Sequence, residues 1–505
     1  MSKKFLLLSA LGYFTTLAPL FAQAPSGGLD KQINDVVQPA TDFVSGIVFY
    51  SIQLGDSAAT NMPLVIIFLL LSAILFTVYF KFINIRGFGT SIQTVQGKYS
   101  DPTNAGEVSH FQALTAAVSG TVGLGNIAGV AIAISLGGPG ATFWMIVAGF
   151  LGMSSKFVEC TLGVRYREIG PDGKVYGGPM YYLTKGLADR GLGGVGKVLA
   201  VFFAIMCVGG SFGGGNMFQA NQAASQFLTM IGSTSSSAGT VFGVVMAAVV
   251  AMVIIGGIKR IGAVTEKIVP FMCGIYILAA LVVIGVNIAN LPETLALIFT
   301  EAFSPVAVSG GLVGVLVQGF RRAAFSNEAG VGSAAIAHSA VKTEYPASEG
   351  LVSLLEPFID TVIICTMTAI VVIITGDYDN AGNMGGVEMT SESFATVLPW
   401  FPYVLTFTVV LFAFSTMISW SYYGLQAWLF LFGKNRFNDI LYKVLFCFFV
   451  VIGAAASLSA VTDFSDAMIF AMSVPNLIGL FFLLPVVKAE VTRYMAFIKG
   501  GTWKK

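Results

Sequence analysis

The residues best suited to bind a ligand lie inside an apolar stretch, where glycines alternate with polar side chains. Residues 119–126 read Ser-Gly-Thr-Val-Gly-Leu-Gly-Asn. Each glycine costs about 0.8–1 kcal/mol relative to alanine inside a helix, so three glycines in this short run predict locally unwound backbone. Unwound backbone frees carbonyl groups for a cation, and the N–H groups that open the next half-helix attract a carboxylate. The segment therefore predicts a site for a zwitterion beside a sodium ion.

Two other interpretations of these glycines are weaker. Glycine also lets helices pack closely, and we accept that explanation for Gly129, Gly137 and Gly149. Close packing does not require the threonine and asparagine that are interleaved in 119–126. A dinucleotide-binding loop is not indicated, because Ala128 stands where the GxGxxG pattern needs its third glycine and no strand precedes it.

Two further polar patches interrupt apolar helices. One patch, residues 213–222, reads GGGNMFQANQ, and the other, residues 415–423, reads STMISWSYY. Uncharged polar side chains inside a bilayer must find partners or line a cavity. Hydrogen bonding between helices alone is the alternative explanation for both patches. The five-residue spacing of Gly214 and Gln219 puts them about 140° apart on an α-helix, so both border one site only if it spans a broad face.

Composition places most of the chain in a membrane. The 505 residues are 55% hydrophobic and 10% charged, with a mean hydropathy of +0.81, whereas soluble proteins carry about 25% charged residues. The sequence shows no alternating strands of a membrane barrel, so the fold class is an all-α polytopic membrane protein. A net charge of +1 gives no reason to expect a nucleic-acid partner. A membrane-spanning helix takes roughly 20 apolar residues, and we predict eleven transmembrane helices, near 63–83, 108–136, 141–164, 198–229, 239–258, 266–289, 302–320, 351–375, 397–432, 440–460 and 467–487.

The two ends of the chain fall outside this helical region. Residues 1–24 combine two lysines, an apolar run and a small-x-small end, which is typical of a cleaved secretory signal peptide. An uncleaved first helix is the alternative. In either case residues 25–62 are periplasmic, residues 491–505 are a cytoplasmic tail, and the bacterial inner (cytoplasmic) membrane is the expected location.

The distribution of charge supports this topology. Lysine and arginine favour cytoplasmic loops, and the eleven-helix arrangement puts the basic clusters inside and the acidic loops outside. It assigns Arg321 and Arg322 to the inner side and Asp466 to the outer side. We expect Glu328 to pair with one of these two arginines in an inner gate.

The ten helices after the first, 63–83, divide into two groups of five. The first five-helix repeat covers 108–290 and the second covers 301–490. Five is an odd number, so the two groups run in opposite senses and form an inverted repeat preceded by one extra helix. In such proteins the cargo lies at the midplane, between interrupted helices at matching positions of the two halves. In the second half we expect the interruption at 303–311, which reads FSPVAVSGG.

A few charged residues suggest other chemistry. Glu356 and Asp360 lie one turn apart, and a paired-carboxylate enzyme or a proton relay is conceivable. We interpret them instead as acids of a first helical turn near the cytoplasm. We expect His110 and His338 at the membrane interface, outside any metal or catalytic group.

Four motifs resemble the signatures of the alanine or glycine:cation symporter family. They are GTVGLGNIAGV at 120–130, GGPGATFWM at 137–145, GGPMYY at 177–182 and FSNEAGVGS at 325–333. The motifs occur in the family's order, and the similarity spans about residues 60–490. The resemblance implies the leucine-transporter-like fold, which is a five-plus-five inverted repeat preceded by one helix.

The resemblance also implies which residues hold the cargo. The N–H groups of Leu124 and Gly125 would meet a carboxylate, and Thr121 and Asn126 would serve the amino acid rather than a second sodium ion. Bulky side chains would limit the cargo to small amino acids. The remaining substrate-binding residues that the resemblance implies are Gly123, Gly214, Gln219, Phe303, Met417 and Trp420.

The sodium site that the resemblance implies lies between two core helices. The carbonyl groups of Ser119, Val122 and Ala413 and the hydroxyl of Thr416 would coordinate the ion. Met417 stands where the leucine transporters have a second hydroxyl, so this site has one ligand fewer or is shifted.

These observations together predict a sodium-coupled secondary symporter that imports a small neutral amino acid, alanine and/or glycine, by alternating access. Na+ is the coupling ion, and no organic cofactor and no obligate protein partner are expected; the partners are the amino acid and the lipid bilayer. A proton-coupled symporter on the same scaffold is the main alternative. An enzyme would need a metal or nucleophile cluster, which the sequence does not contain, and a channel would conduct ions. The sequence leaves open alanine against glycine or serine, sodium stoichiometry and oligomeric state.

Overall fold

The fold is helical, as predicted. The structure, a computed structural model, describes residues 39–501 except 40, 54–60, 234, 236, 305–310, 379–385 and 457. The predicted signal peptide and most of the predicted periplasmic segment lie outside these residues. In the described part of the chain, helices are accompanied by two antiparallel two-stranded hairpins, β1 (Ser51–Gln53) with β2 (Asn61–Pro63) and β3 (Glu168–Ile169) with β4 (Val175–Tyr176).

The helices follow one another with short connections, and several contain a wider π turn. Those of the first part are α1 (Leu64–Tyr79), α2 (Ile83–Arg86), α3 (Phe88–Val95), α4 (His110–Thr121), α5 (Val130–Gly137, after a π turn Gly125–Gly129), α6 (Ala141–Arg165), α7 (Pro179–Tyr181, with a π turn Tyr182–Gly186), α8 (Gly193–Phe212, with a π turn Gly213–Met217), α9 (Phe218–Met230), α10 (Ala238–Ile254) and α11 (Gly257–Val286, followed by a 3-10 turn Ile288–Asn290). Those of the second part are α12 (Leu291–Ala302), α13 (Gly311–Asn327), α14 (Ala334–His338), α15 (Pro346–Val352), α16 (Leu355–Pro357, with a π turn Phe358–Cys365), α17 (Thr366–Thr375), α18 (Gly386–Ala395), α19 (Phe401–Phe432), α20 (Arg436–Ala455) and α21 (Leu458–Gly500).

Many of these helices are suited to a membrane. In the described residues, seven helical stretches are long and apolar enough to cross a bilayer, and the bent pair α4–α5 makes eight. Two shorter apolar helices, α1 and α10, come close to the same length. The number eleven therefore stays a prediction.

The first predicted interruption is present in the structure. Helix α4 begins with a reciprocal cap, in which Ser109 Oγ accepts from the Gln112 N–H and Gln112 Oε1 accepts from the Ser109 N–H. It ends where Val122 turns to an extended conformation with ψ 91°. The helical segments on the two sides differ in direction by 51°. We call residues 122–124 the first break.

An interruption that was not predicted lies at 328–333, and the one predicted at 303–311 stays a prediction, because α12 ends before it at Ala302 and α13 begins only at Gly311. Helix α13 runs unbroken from Gly311 to Asn327, and residues 305–310 lie outside the described part of the chain. Helical geometry ends at Glu328 (φ 55°), and Gly330 and Gly332 also have positive φ, at 89° and 94°. Three left-handed residues within five positions cannot continue a right-handed helix. We call residues 328–333 the second break.

Helix α19 connects the two breaks. It runs over 32 residues and packs against α4, α8, α9 and α11. Most of its length is buried, which is consistent with its continuous apolar sequence. Polar residues on such a helix face other helices, so the patch at 415–423 lies in the interior.

One part of the predicted topology is contradicted. Asp466 Oδ2 accepts hydrogen bonds from Arg321 Nη2 at 2.8 Å and from Arg322 Nη2 at 2.9 Å. Partners in one ion pair cannot lie on opposite sides of a bilayer, so the assignment of these arginines to the inner side and Asp466 to the outer side was wrong. The reason is that α13 precedes the second break instead of completing a span.

Candidate functional site

The first break leaves two backbone N–H groups that are satisfied by side chains. The Gly123 N–H donates to Asn126 Oδ1 at 2.9 Å, and the Leu124 N–H donates to Gln219 Oε1 at 3.2 Å. Both acceptors are amide oxygens on buried residues. A buried N–H needs an acceptor, and the oxygen that Leu124 contacts belongs to a side chain that can move.

Gln219 reaches this position because its helix contains a π turn. Its Nε2 donates to the Gly214 carbonyl at 2.9 Å, across the wider turn Gly213–Met217. An α-helix would place these two residues far apart around its axis, whereas the π turn brings both to one cavity. The separation of about 140° that an α-helix would impose on Gly214 and Gln219 therefore does not apply here.

Trp420 links the two breaks. Its indole Nε1 donates to the Gly120 carbonyl at 3.2 Å, at the end of α4, and to Glu328 Oε1 at 3.0 Å, at the start of the second break. The ring also packs edge-on against Tyr423, with 5.3 Å between the ring centres. One side chain of α19 therefore contacts the ends of both interrupted helices.

A narrow cavity lies between the breaks. Its volume of about 10 Å³ admits roughly one water molecule in this conformation. The residues that line it are Gly120, Thr121, Gly125, Gly214, Gln219, Phe325, Glu328, Trp420 and Ile469. Five of the predicted substrate residues, namely Thr121, Gly125, Gly214, Gln219 and Trp420, are thus brought together around one small space.

Three glycines at or beside the cavity leave no room for a side chain. A Cβ at Gly123 would lie 2.5 Å from Thr416 Oγ1, and one at Gly214 would lie 2.5 Å from Ile469 Cδ1. The conflict at Gly215 is closest, because its Cβ would lie 2.2 Å from Trp420 Cγ. Glycine is therefore required here for close approach of neighbouring helices around the cavity.

Two of the predicted sodium ligands are in contact with each other. Thr416 Oγ1 donates to the Ser119 carbonyl at 3.0 Å, which joins α19 to the last turn of α4. Ser119 is fixed further, because its own hydroxyl donates to the Ser415 carbonyl at 2.6 Å. Val122 and Ala413 are fully buried on the same two elements. The donor set offers uncharged oxygens, the ligand type that suits a hard cation.

Phe303 was expected to line the pocket, and the structure does not place it there. It is 45% exposed and packs on Phe143 and Phe299, with 5.1 Å and 5.3 Å between ring centres. The physical reason is the position of the second break, which brings Phe325 to the cavity instead. Met417 is fully buried but is not among the cavity residues.

Four cavity residues were not among the predicted substrate residues, namely Gly120, Phe325, Glu328 and Ile469, although Gly120 lies in the predicted segment 119–126. The motif at 325–333 contained the necessary signal, because it has two glycines in four residues beside Asn327 and Glu328. We nevertheless predicted an inner loop there, because the motif contains the charged residue Glu328.

Comparison with known proteins identifies the family. A model of the sodium:alanine symporter family matches residues 50–505. The chain belongs to this family. Among curated relatives, the sodium/alanine symporter AgcS of Methanococcus maripaludis is 41% identical over 435 residues, which is 86% of this chain and 94% of that protein. The probable sodium/glutamine symporter GlnT of Bacillus subtilis is 36% identical over 442 residues, covering 87% of this chain and 89% of that protein.

Two further comparisons concern a relative that matches a smaller part of the chain and a solved structure. The putative sodium/proton-dependent alanine carrier protein YrbD of Bacillus subtilis is 36% identical over 362 residues, covering 69% of this chain and 72% of that protein. The solved structure of MhsT in complex with L-phenylalanine has a TM-score of 0.47 and 16% identity, covering 76% of this chain and 99% of that chain. Family and relatives are transporters, so this sodium:alanine symporter family member is a transporter and not an enzyme.

A buried ionic cluster accompanies the site of this family member. Lys156 Nζ pairs with Glu356 Oε1 at 2.9 Å, and Glu349 contacts both His338, at 2.6 Å, and His110. All five side chains are buried. Glu356 lies in the first turn of α16, as expected, but it is fully buried and paired with Lys156. The position of the two histidines relative to the membrane interface stays a prediction. The sequence around these residues did not indicate that Lys156, which lies within the apolar helix α6, would be part of the cluster.

Asp360, four residues after Glu356, supports the first break through Asn126. Its Oδ1 accepts from Asn126 Nδ2 at 2.6 Å, and its Oδ2 accepts from Ser326 Oγ at 2.9 Å. Asn126 in turn accepts from the Gly123 N–H, so the carboxylate of Asp360 orients the side chain that caps the first break. Asp360 lies in the first turn of its helical segment, as expected, and is fully buried.

Proposed function

We propose that this protein is a sodium-coupled secondary symporter that imports a small neutral amino acid, alanine and/or glycine, by alternating access. The observation that carries the proposal is the pair of interrupted helices joined through Trp420, with the Leu124 N–H held by a movable amide. We further propose eleven spans with a five-plus-five inverted repeat. In this arrangement a bacterial inner membrane holds the chain with a periplasmic N-terminal segment and a cytoplasmic C-terminus.

The cargo carboxylate replaces the Gln219 oxygen at the Leu124 N–H. Both are oxygen acceptors, and the exchange leaves no buried N–H unpaired. Because the cavity holds about 10 Å³ in the present conformation, binding requires that Gln219 move. The glycines at 214 and 215 keep Ile469 and Trp420 close, which favours small side chains such as those of alanine and glycine.

Sodium occupies the space between the Ser119 carbonyl and the Thr416 hydroxyl, with the carbonyl groups of Val122 and Ala413 as further ligands. The same last turn of α4 carries the first break, so ion binding orders the backbone that holds the carboxylate. Sodium entry supplies about 2.3 kcal/mol per charge per 100 mV of membrane potential. That energy drives accumulation of the amino acid.

Proton coupling on the same scaffold is the second candidate. The observation that favours it is the buried cluster of Lys156, Glu356, His338, Glu349 and His110, since such intramembrane groups often carry protons. The relative YrbD is named a putative sodium/proton-dependent alanine carrier protein.

Uptake into proteoliposomes tests the proposal. Purified protein is reconstituted, and radiolabelled L-alanine uptake is measured with an inward sodium gradient, with choline in its place, and with a pH gradient alone. We expect saturable uptake only with sodium, and competition by glycine that exceeds competition by glutamine. Uptake that persists in choline but requires the pH gradient would establish the proton-coupled alternative. Absence of uptake of every amino acid tested would contradict both candidate functions.

A further inference from the structure

Glu328 is a carboxylate at the second break, and its expected ion pair with Arg321 or Arg322 was wrong, because both arginines bond Asp466 instead. Its side chain is buried, with the residue 3% exposed, and it lies in a left-handed backbone conformation with φ 55°. Oε1 accepts from Trp420 Nε1 at 3.0 Å, and Oε2 accepts from Ser333 Oγ. These uncharged donors hold the carboxylate in position but do not balance its charge.

No lysine, arginine or histidine nitrogen of the described residues lies within 4.0 Å of the Glu328 carboxylate. The buried Lys156 is paired with Glu356, at 2.9 Å. A second buried glutamate, Glu159, accepts from Asn476 Nδ2 at 2.8 Å and has no ion pair among the described residues. A charged carboxylate that is buried requires a cationic partner or a metal. This region has more acidic than basic groups, and it therefore favours a positively charged ligand.

The cavity between the breaks has two chemically different ends. Gln219, whose oxygen accepts from the Leu124 N–H, lines one part of the cavity, and Glu328 lines another. Displacement of the Gln219 oxygen frees that N–H for a carboxylate, whereas Glu328 is an acid. A carboxylate has about four acceptor positions, and among the described residues two side chains donate to Glu328. The remaining positions are available to an ammonium group.

We propose that the Glu328 carboxylate binds the α-ammonium group of the transported amino acid. This inference rests on the proposed function and adds the residue that selects zwitterions over simple carboxylates such as propionate or lactate. An amino acid then spans both breaks, with its carboxylate at Leu124 and its ammonium group at Glu328. Trp420, which contacts Gly120 and Glu328, positions the two ends relative to each other.

The experiment compares Glu328→Gln with Glu159→Gln in sodium-driven uptake of radiolabelled L-alanine. Glu159 is the matched control, because it is a fully buried glutamate near Lys156 that bonds Asn476 at 2.8 Å and is not among the cavity residues. A charge-assisted hydrogen bond contributes about 1.5–3 kcal/mol. We therefore expect E328Q to raise the KM for alanine at least about tenfold, and E159Q to change it by less than about threefold. The sodium concentration for half-maximal uptake should move far less than the alanine KM in E328Q.

The outcomes separate the inference from the proposed function. An unchanged alanine KM in folded E328Q overturns the inference, as does an equal rise in E159Q or a rise confined to the sodium requirement. Folding is checked by gel filtration and thermal unfolding in detergent. If E328Q does not fold, Glu328→Asp is measured instead, and it must raise the alanine KM because the charge withdraws by one methylene group. Failure of the wild-type protein to take up any amino acid contradicts the proposed function.

Discussion

At the scale of single residues, the Trp420 indole nitrogen makes the most informative contact in the molecule. It donates to the last turn of one interrupted helix and to the first residue of the other break. A shift of either break therefore changes the hydrogen bonding of the same side chain. This arrangement gives the two halves of the site a direct physical connection.

Gly215 and Gly129 provide a matched test of how tightly the site is packed. A Cβ at Gly215 would lie 2.2 Å from Trp420 Cγ, whereas nothing lies within 4 Å of a Cβ at Gly129. Overpacking costs about 1–3 kcal/mol or more, so Gly215→Ala should lower the thermal unfolding temperature and abolish uptake. Gly129→Ala should leave both unchanged. Equal effects of the two changes would show that the Trp420 contact is unimportant.

Thr416→Val removes the hydroxyl that contacts Ser119 while keeping the shape of the side chain. Thr408→Val is the control, because the Thr408 hydroxyl is also buried on α19 but bonds the Val404 carbonyl of its own helix at 2.8 Å. We expect T416V to raise the sodium concentration for half-maximal uptake about tenfold, since a bond to an ion contributes about 1.5–3 kcal/mol. The ranking of alanine and glycine should stay the same. A sodium titration equal to that of T408V would show that the cation binds elsewhere.

At the scale of helices, the sequence was sufficient to place the first break. Glycines and polar residues inside an apolar stretch predicted the interruption, and the structure bends by 51° there. The same signal identified Gln219 and Trp420, which line the cavity. Close packing was accepted for three other glycines, and it is confirmed for Gly137 and Gly149, whose Cβ positions meet Gln318 and Thr361.

The second break was not predicted, because hydropathy and local glycine content gave opposite indications. A proline and two glycines at 303–311 suggested an interruption, whereas Arg321, Arg322 and Glu328 suggested that the span had already ended. The two arginines instead pair with Asp466, which lies 144–145 residues later in the chain, and Glu328 is buried at the second break. Periodicity within a helix contains no information about such distant pairs. Ion pairing inside the membrane region therefore had to come from the structure.

Asp466 should be important for the stability of the packed helices. It is fully buried and is the shared partner of Arg321 and Arg322. Breaking a buried pair by removing one partner costs about 3–5 kcal/mol, so Asp466→Asn should clearly lower the thermal unfolding temperature. Glu344→Gln is the control, since Glu344 is 61% exposed in its pair with Arg493 and exposed pairs contribute about 0–1 kcal/mol. If both variants unfold at the same temperature, α13 and α21 are not held by this cluster.

At the scale of the whole molecule, the cation and the cargo use the same turn of backbone. Ser119 and Thr416 lie on one side of the first break, and the Leu124 N–H lies within it. Ligands that order one element in common raise each other's affinity by the same factor. Coupling therefore requires no contact between sodium and the amino acid.

This reciprocity predicts a thermal shift that depends on both ligands. A ligand that binds only the folded protein stabilises it, by about 2.7 kcal/mol at a hundred times its Kd. L-alanine should raise the unfolding temperature of the detergent-purified protein much more in sodium than in choline. An alanine-induced shift of the same size in both salts would mean that the two sites are independent.

The most direct test of the two-break site is an experimental structure determined with L-alanine and sodium. The account predicts density for alanine between residues 122–124 and 328–333, with the Gln219 oxygen displaced from the Leu124 N–H and the alanine carboxylate in its place. Alanine bound elsewhere, or alanine present while the bond from Leu124 to Gln219 stays intact, would contradict it.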